Sequence, residues 1–147
     1  MNISDIKNIY EYLASLKDLD QIFSEIPNDL TEDSYITASI YSNRNRFSNI
    51  LTSDKNIISI STGYINASYI LNNKYIPTQQ PLRNTIKHFW TLVYETNSRI
   101  IVNLTNDNTY LQFPTDFNVE IKDYYTKYPF EIRQIILNYQ DTKKIVY

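Results

Sequence analysis

Residues 63–90 read GYINASYILNNKYIPTQQPLRNTIKHFW, and two periods meet inside that span. Residues 64–70 and 74–78 are β-branched or aromatic and read as short strands, with 56–60 as a third strand just upstream. Gly63, the only glycine of the chain, marks the turn between 56–60 and 64–70. The spacing then changes. Ile86, Phe89, Trp90, Val93 and Tyr94 fall at i, i+3, i+4, i+7 and i+8, which predicts an amphipathic helix. Asn84 or Thr85 is placed to cap it, and its far face carries Lys87, His88, Thr91 and Glu95. Strands followed by a helix in one uninterrupted run predict an α+β fold.

Working outward, Ser4 can cap a helix with Ile6, Ile9, Tyr10, Leu13 and Leu16 on one face. A second helix reads from Asp18, with Leu19, Ile22, Phe23 and Ile26 in register until Pro27 stops it. Residues 28–45 are polar and read as irregular. Downstream, residues 99–105 (RIIVNLT) read as a strand of buried composition, and 117–122, 130–138 and 143–147 as further strands. There is no repeat and no linker, so the expectation is one domain over 1–147: a helical lead-in at 3–27, then a loop and sheet at 43–147.

The totals exclude several functions. The 147 residues are 42% hydrophobic and 20% charged with a formal charge of −2, so there is no electrostatic footprint for nucleic acid or an anionic membrane. One glycine cannot build a GxGxxG turn, a Walker A loop or a G-x-S-x-G elbow. With no cysteine and one histidine, the usual zinc sites cannot be assembled, and no metal or cofactor is expected. No apolar run approaches a membrane span, and the N-terminus has acids where a secretion signal has basic residues. A cytoplasmic setting is the expectation.

Several motifs in this frame resemble one family. Tyr64-Ile65-Asn66-Ala67-Ser68 resembles the YINAS motif of classical protein-tyrosine phosphatases, and residues 75–82 (YIPTQQPL) resemble their YIATQGPL. Asn84-Thr85 with Phe89-Trp90 is similar to the NT…FW helix, residues 100–105 (IIVNLT) to IIVMLT, and 45–51 (NRFSNIL) to the NRYxDIL loop that receives phosphotyrosine. They keep family order and spacing over roughly 60 residues, which is far more specific than any one of them. From Tyr110 onward the likeness thins. The resemblance implies the N-terminal part of the phosphatase fold, a mixed, twisted sheet flanked by helices. It implies Arg46, Phe47 and Asn49 at the phosphotyrosine-recognition loop, and Tyr64, Asn66, Ser68, Thr78, Gln79, Pro81 and Trp90 as family structural positions. A phosphotyrosine protein or peptide is the implied partner.

The departures are specific. Phe47 replaces the recognition tyrosine, keeping the ring and losing the hydroxyl; Asn49 replaces an aspartate, losing its charge. Gln80 replaces the glycine of TQGP, which would strain a positive φ; Ile57 replaces the arginine of DxxRVxL; Gly63 replaces an aspartate. The family's chemistry needs a cysteine thiolate, the HCxxGxGR phosphate loop and the aspartic acid of a WPD motif. The chain has no cysteine, no glycine after Gly63, and one tryptophan, Trp90. No catalytic residue is assigned. The expectation is an inactive, incomplete domain whose sheet face, with Ile100, Val102 and residues 130–138, stays bare and promotes self-association.

Other readings stay open on the residues alone. A non-catalytic partner-binding or decoy module would use the same loop. An unrelated α+β protein would match by chance. His88 reads as a solvated surface residue, Arg46 and Arg133 as makers of buried ion pairs or hydrogen bonds, and Phe47 equally as an ordinary core aromatic. Asp5, Asp18, Asp20, Glu25, Glu32 and Asp33 read as cap and surface charges, and the fourteen tyrosines as half-buried sheet residues.

Overall fold

The computed structural model describes residues 33–127, 130–139 and 142–147, together with 21, 24 and 25. Two compact units divide the chain at 32/33. In the first, residues 21 and 24 are helical and the Glu25 amide donates to the Gln21 carbonyl at 3.1 Å. The rest of the two predicted N-terminal helices lies outside the described residues.

The second unit contains helix α1 (Ile36–Ile40), helix α2 (Ile86–Glu95) and strands β1 (Asn118–Lys127), β2 (Phe130–Tyr139) and β3 (Thr142–Val146). The strands form an antiparallel sheet in the order β1-β2-β3, with Ile121 opposite Ile135 and Ile135 opposite Val146. The register slips between Asp123 and Tyr125, where β1 carries a bulge. Just past Val146, two backbone bonds tie Tyr147 to residues 99–101. The Tyr147 amide donates to the Arg99 carbonyl at 2.9 Å, and the Ile101 amide to the Tyr147 carbonyl at 2.6 Å. Those two bonds bracket Ile100 in the pattern of a parallel pair.

Helix α2 supplies the centre of the core. Phe89, Trp90, Leu92 and Val93 are buried against Ile135 and Leu137 of β2 and Val146 of β3, joined by Ile58, Ile60, Ile65, Ala67 and Phe117. Trp90 is fully buried, and its indole N–H donates to the carbonyls of Tyr110 (3.0 Å) and Gln112 (2.8 Å), so the ring is sealed without an orphaned donor. The helix stops in a Schellman turn. Asn97 sits at φ 56°, its amide donates to the Tyr94 carbonyl and the Ser98 amide to the Val93 carbonyl. Thr85 occupies the N-cap position as the sequence suggests, but its hydroxyl bonds back to the amide and carbonyl of Leu82 instead of capping α2.

Four expectations change. Residues 36–40, read as irregular, are helical: the Asp54 carboxylate accepts from the Ile36 and Thr37 amides at 2.9 and 3.0 Å. Residues 56–78 form no extended ladder, only single bridges pairing Ile57 with Ser68, Ile60 with Gly63, Ala67 with Thr78 and Ile70 with Tyr75. Residues 99–105, read as a strand of buried composition, leave Ile100, Val102 and Leu104 70%, 72% and 91% exposed, as the bare-face expectation has it for Ile100 and Val102, and only Ile101 packs half-buried against the core. Conversely β2 is not a bare face, because Ile135, Ile136 and Leu137 are all buried.

Candidate functional site

The loop that follows α1 is held by side chains from three directions. Asn45 Nδ2 donates to the Ala38 carbonyl at 2.8 Å, and its Oδ1 accepts from the Tyr64 hydroxyl at 2.6 Å. Tyr64 stacks on Tyr41 with ring centres 5.4 Å apart and planes within 9°. Burial pushes the Tyr64 phenol up from its ordinary value, so it stays a neutral donor to Asn45. Gln79 grips the loop backbone at two points: Nε2 donates to the Arg44 carbonyl at 2.7 Å, and Oε1 accepts from the Arg46 amide at 2.8 Å.

Arg46 turns its guanidinium toward the residues 80–81 backbone. Nε donates to the Gln80 carbonyl and one terminal N–H to the Pro81 carbonyl, both at 3.1 Å, with Asp107 at 3.5 Å. Asp107 is held as a carboxylate, its pKa lowered first by the Thr109 hydroxyl and less by Arg46. Gln80 fits without strain: it is absent from the positive-φ residues, and its amide donates to the Asp107 carbonyl at 3.0 Å.

With the backbone pinned, Phe47 projects outward, 58% exposed, beside Ile50 at 61%, and Asn49 is exposed as well. Phe47 is therefore not a core aromatic. A groove of mixed lining runs between α1 and the loop, with Ser39, Ser42, Asn45, Arg46 and Ser48 joined by Ala38 and Leu51.

The other predicted positions form the support. Asn66 is buried; its Nδ2 donates to the Ile50 carbonyl at 2.7 Å and its Oδ1 accepts from the Thr52 hydroxyl at 2.5 Å. The Thr78 hydroxyl donates to the Asn66 carbonyl at 2.9 Å, and the Ser68 amide to the Pro77 carbonyl at 3.2 Å. Pro81 is buried. Trp90 lies in the core, away from the loop's exposed face. Arg133 pairs with Glu131, an exposed partner on the same strand, β2.

Gly63 has a local reason. It closes the turn from Ile60 at φ 96°, and a Cβ there would meet an Arg44 guanidinium nitrogen at 3.3 Å. His88 is the largest departure from the sequence reading. Both ring nitrogens are shielded from solvent without a good hydrogen bond, as is the Thr62 hydroxyl. Burial, and then the nearby Arg44, hold its pKa below the ordinary value, so the ring is neutral. The Glu95 carboxylate accepts from the Ser61 amide and hydroxyl and ties the turn at residues 61–63 to α2. Among the described residues, no group of three or more acidic or histidine side chains is placed to hold a metal.

Comparisons with known proteins bear on the family and the fold. The protein-tyrosine phosphatase family model matches residues 41–146. Tyrosine-protein phosphatase 2 of Dictyostelium discoideum is 59% identical over 44 residues, 30% of this chain and 12% of that protein. Human tyrosine-protein phosphatase non-receptor type 7 is 25% identical over 155 residues, 90% of this chain and 43% of that protein. The catalytic domain of human PTPN18 superposes with a TM-score of 0.69 at 24% identity, over 78% of this chain and 51% of that domain. The chain thus spans under half the length of these two relatives and about half of a solved catalytic domain. The motifs, their order and the fold of that part of the domain converge, and the chain belongs to the protein-tyrosine phosphatase family.

Proposed function

We propose that residues 41–146 form the phosphotyrosine-facing part of a tyrosine-phosphatase domain, and that the 147-residue polypeptide binds its ligand weakly without turning it over. The observation that carries the reading is the outward Phe47 on a backbone pinned by Gln79 and Arg46. A ring fixed in that way can wall an aromatic ligand at low entropic cost. Asn49 adds a neutral hydrogen-bond group. Arg46 is a positioning residue, since its donors are already committed to the Gln80 and Pro81 carbonyls. PTPN18, a structural neighbour, has been solved in complex with phosphopeptides of HER2.

Inactivity follows from what the sequence contains. Phosphate-monoester hydrolysis is so slow that enzymes supply up to ~10²¹-fold. A stacking ring and one amide are worth a few kcal/mol of binding and supply no nucleophile. The 147 residues hold no cysteine thiolate and no glycine-rich phosphate cup. Without those ligands for the phosphate, affinity should fall near the millimolar range, about −4 kcal/mol.

Amide chemical-shift mapping with a phosphotyrosine peptide and its unphosphorylated twin tests the reading. Shifts centred on residues 46–50 that vanish in Phe47→Ala support it. Shifts elsewhere, or shifts indifferent to that substitution, overturn it. A decoy module is the second reading, favoured by Ile50 exposed beside Phe47. Equal affinity for the two peptides ends its phosphotyrosine-binding form.

A cytoplasmic setting belongs to the same proposal. Its support is the likeness to a non-receptor relative over 90% of the chain, and receptor-type relatives also match. Among the described residues no helix is long and apolar enough to cross a membrane. A fluorescent fusion of the chain that concentrates at a membrane or in a secretory compartment would contradict the assignment.

A further inference from the structure

We propose that His88 is a pH-sensitive brace for the loop at residues 45–50: as a neutral ring it lets Arg44 steady that loop, and as a cation it drives Arg44 away. The consequence for a bound peptide rests on the ligand reading above; the switch itself does not.

His88 sits between two anchors. Four residues before it, Asn84 Nδ2 donates to the Asn43 carbonyl at 3.0 Å. Seven residues after it, the Glu95 carboxylate accepts from the Ser61 amide at 3.0 Å. Between them both ring nitrogens and the Thr62 hydroxyl are shielded from solvent without a hydrogen-bond partner. An imidazolium carries two N–H donors, and only the Thr62 backbone favours a proton on this ring, less than burial and Arg44 oppose it.

The charged groups that act on the ring are both cations, Arg44 and then Lys87. Lys87 has its own counter-ion, Asp116 at 2.8 Å. The Glu95 carboxylate is spent on Ser61, and the turn at residues 61–63 holds no charged side chain. Among the described residues no carboxylate pairs with Arg44. Gly63 stands where a Cβ would lie 3.3 Å from an Arg44 nitrogen and offers no side chain to neutralise it.

Arg44 carries the effect to the loop. Its guanidinium lies over the Tyr41 ring, 4.9 Å from the centroid, and donates to the Tyr64 carbonyl at 3.3 Å. Tyr41 stacks on Tyr64, whose hydroxyl donates to Asn45. A second positive charge beside Arg44, where water screens poorly, repels the guanidinium from both tyrosines. Asn45 then loses its fixed phenol, and Phe47 part of its pinned base.

His88 is the only histidine of the chain, so its ring protons form a single set of nuclear magnetic resonance signals. In the free chain, titrated from pH 8 to 5, they should show a midpoint below 6.5, and the amides of Arg44, Asn45, Phe47 and Tyr64 should move with that midpoint. Those amides should stay still in His88→Gln. Arg44→Gln should raise the ring's midpoint and uncouple the amides from it. A phosphotyrosine peptide should lose at least about threefold more affinity between pH 7.5 and 5.5 in the parent than in His88→Gln. The peptide's phosphate titrates near pH 6 and weighs equally on both proteins. Co-titration in a chain that binds no peptide supports the switch and contradicts the ligand reading alone. A midpoint at or above 6.5, amides that ignore the ring, amides that titrate equally in His88→Gln, or the same affinity change in both proteins overturns the proposal.

Discussion

Arg46 and Phe47 are neighbours with opposite duties. Arg46 is inward and committed: its side chain satisfies the Gln80 and Pro81 carbonyls and reaches Asp107. Arg46→Ala leaves those carbonyls without donors and should cost about 1–3 kcal/mol in denaturant unfolding. Phe47→Ala, at an exposed position, should stay within about 0.5 kcal/mol of the parent by the same measurement while erasing the peptide response. A large stability loss at Phe47 would place the ring in the core after all. Asn66→Ala strips a buried pair of hydrogen bonds from Thr52 and the Ile50 carbonyl, and about 1–3 kcal/mol of destabilisation is expected. Family motifs flagged Asn66, Thr78 and Gln79 in the sequence. They could not reveal that Gln79 holds the loop at both Arg44 and Arg46, because those contacts join residues more than thirty positions apart.

At the scale of elements, periodicity served where one face is buried and failed where a distant side chain decides. Helix α2 follows its apolar spacing, and the three strands lie where 117–122, 130–138 and 143–147 were read as strands. Helix α1 did not show itself because its cap, Asp54, lies 18 residues beyond Ile36. Hydrogen bonds from the Ser34 hydroxyl and from Thr37 lower the Asp54 pKa to about 2. A depressed carboxylate pKa stabilises above the unfolded value near 3.9 and ceases to as pH falls through about 2. His88 has the same sign for a different reason. Its folded pKa lies below the unfolded 6.5, so its contribution is complete above 6.5 and declines as pH falls below that value. Its placement was missed because helical spacing puts it on the polar face, whereas both ring nitrogens are shielded from solvent. Thermal unfolding between pH 7 and 5 should therefore show falling stability in the parent and a shallower slope in His88→Gln. Identical slopes would mean that His88 is solvated.

For the whole molecule, the core is legible and its outer boundary is not. Phe89 and Trp90 were marked by helical spacing and Leu137 lies within the strand read at 130–138, and they close one buried cluster. Trp90→Ala should cost about 3–5 kcal/mol in denaturant unfolding, enough to unfold a marginal domain. In the stretch 99–105, Ile100, Val102 and Leu104 lie exposed while Ile101 is half-buried against the core, a division that composition alone does not give. Motif order revealed the family. The proposed lack of turnover rests on the residue types of the 147 residues and not on the fold.

The most direct measurement is p-nitrophenyl phosphate turnover by the pure 147-residue chain, followed to constant specific activity. The account predicts a rate indistinguishable from buffer, with Arg46→Ala and Phe47→Ala no different. Sustained turnover that co-purifies with the chain and falls in Phe47→Ala would contradict it.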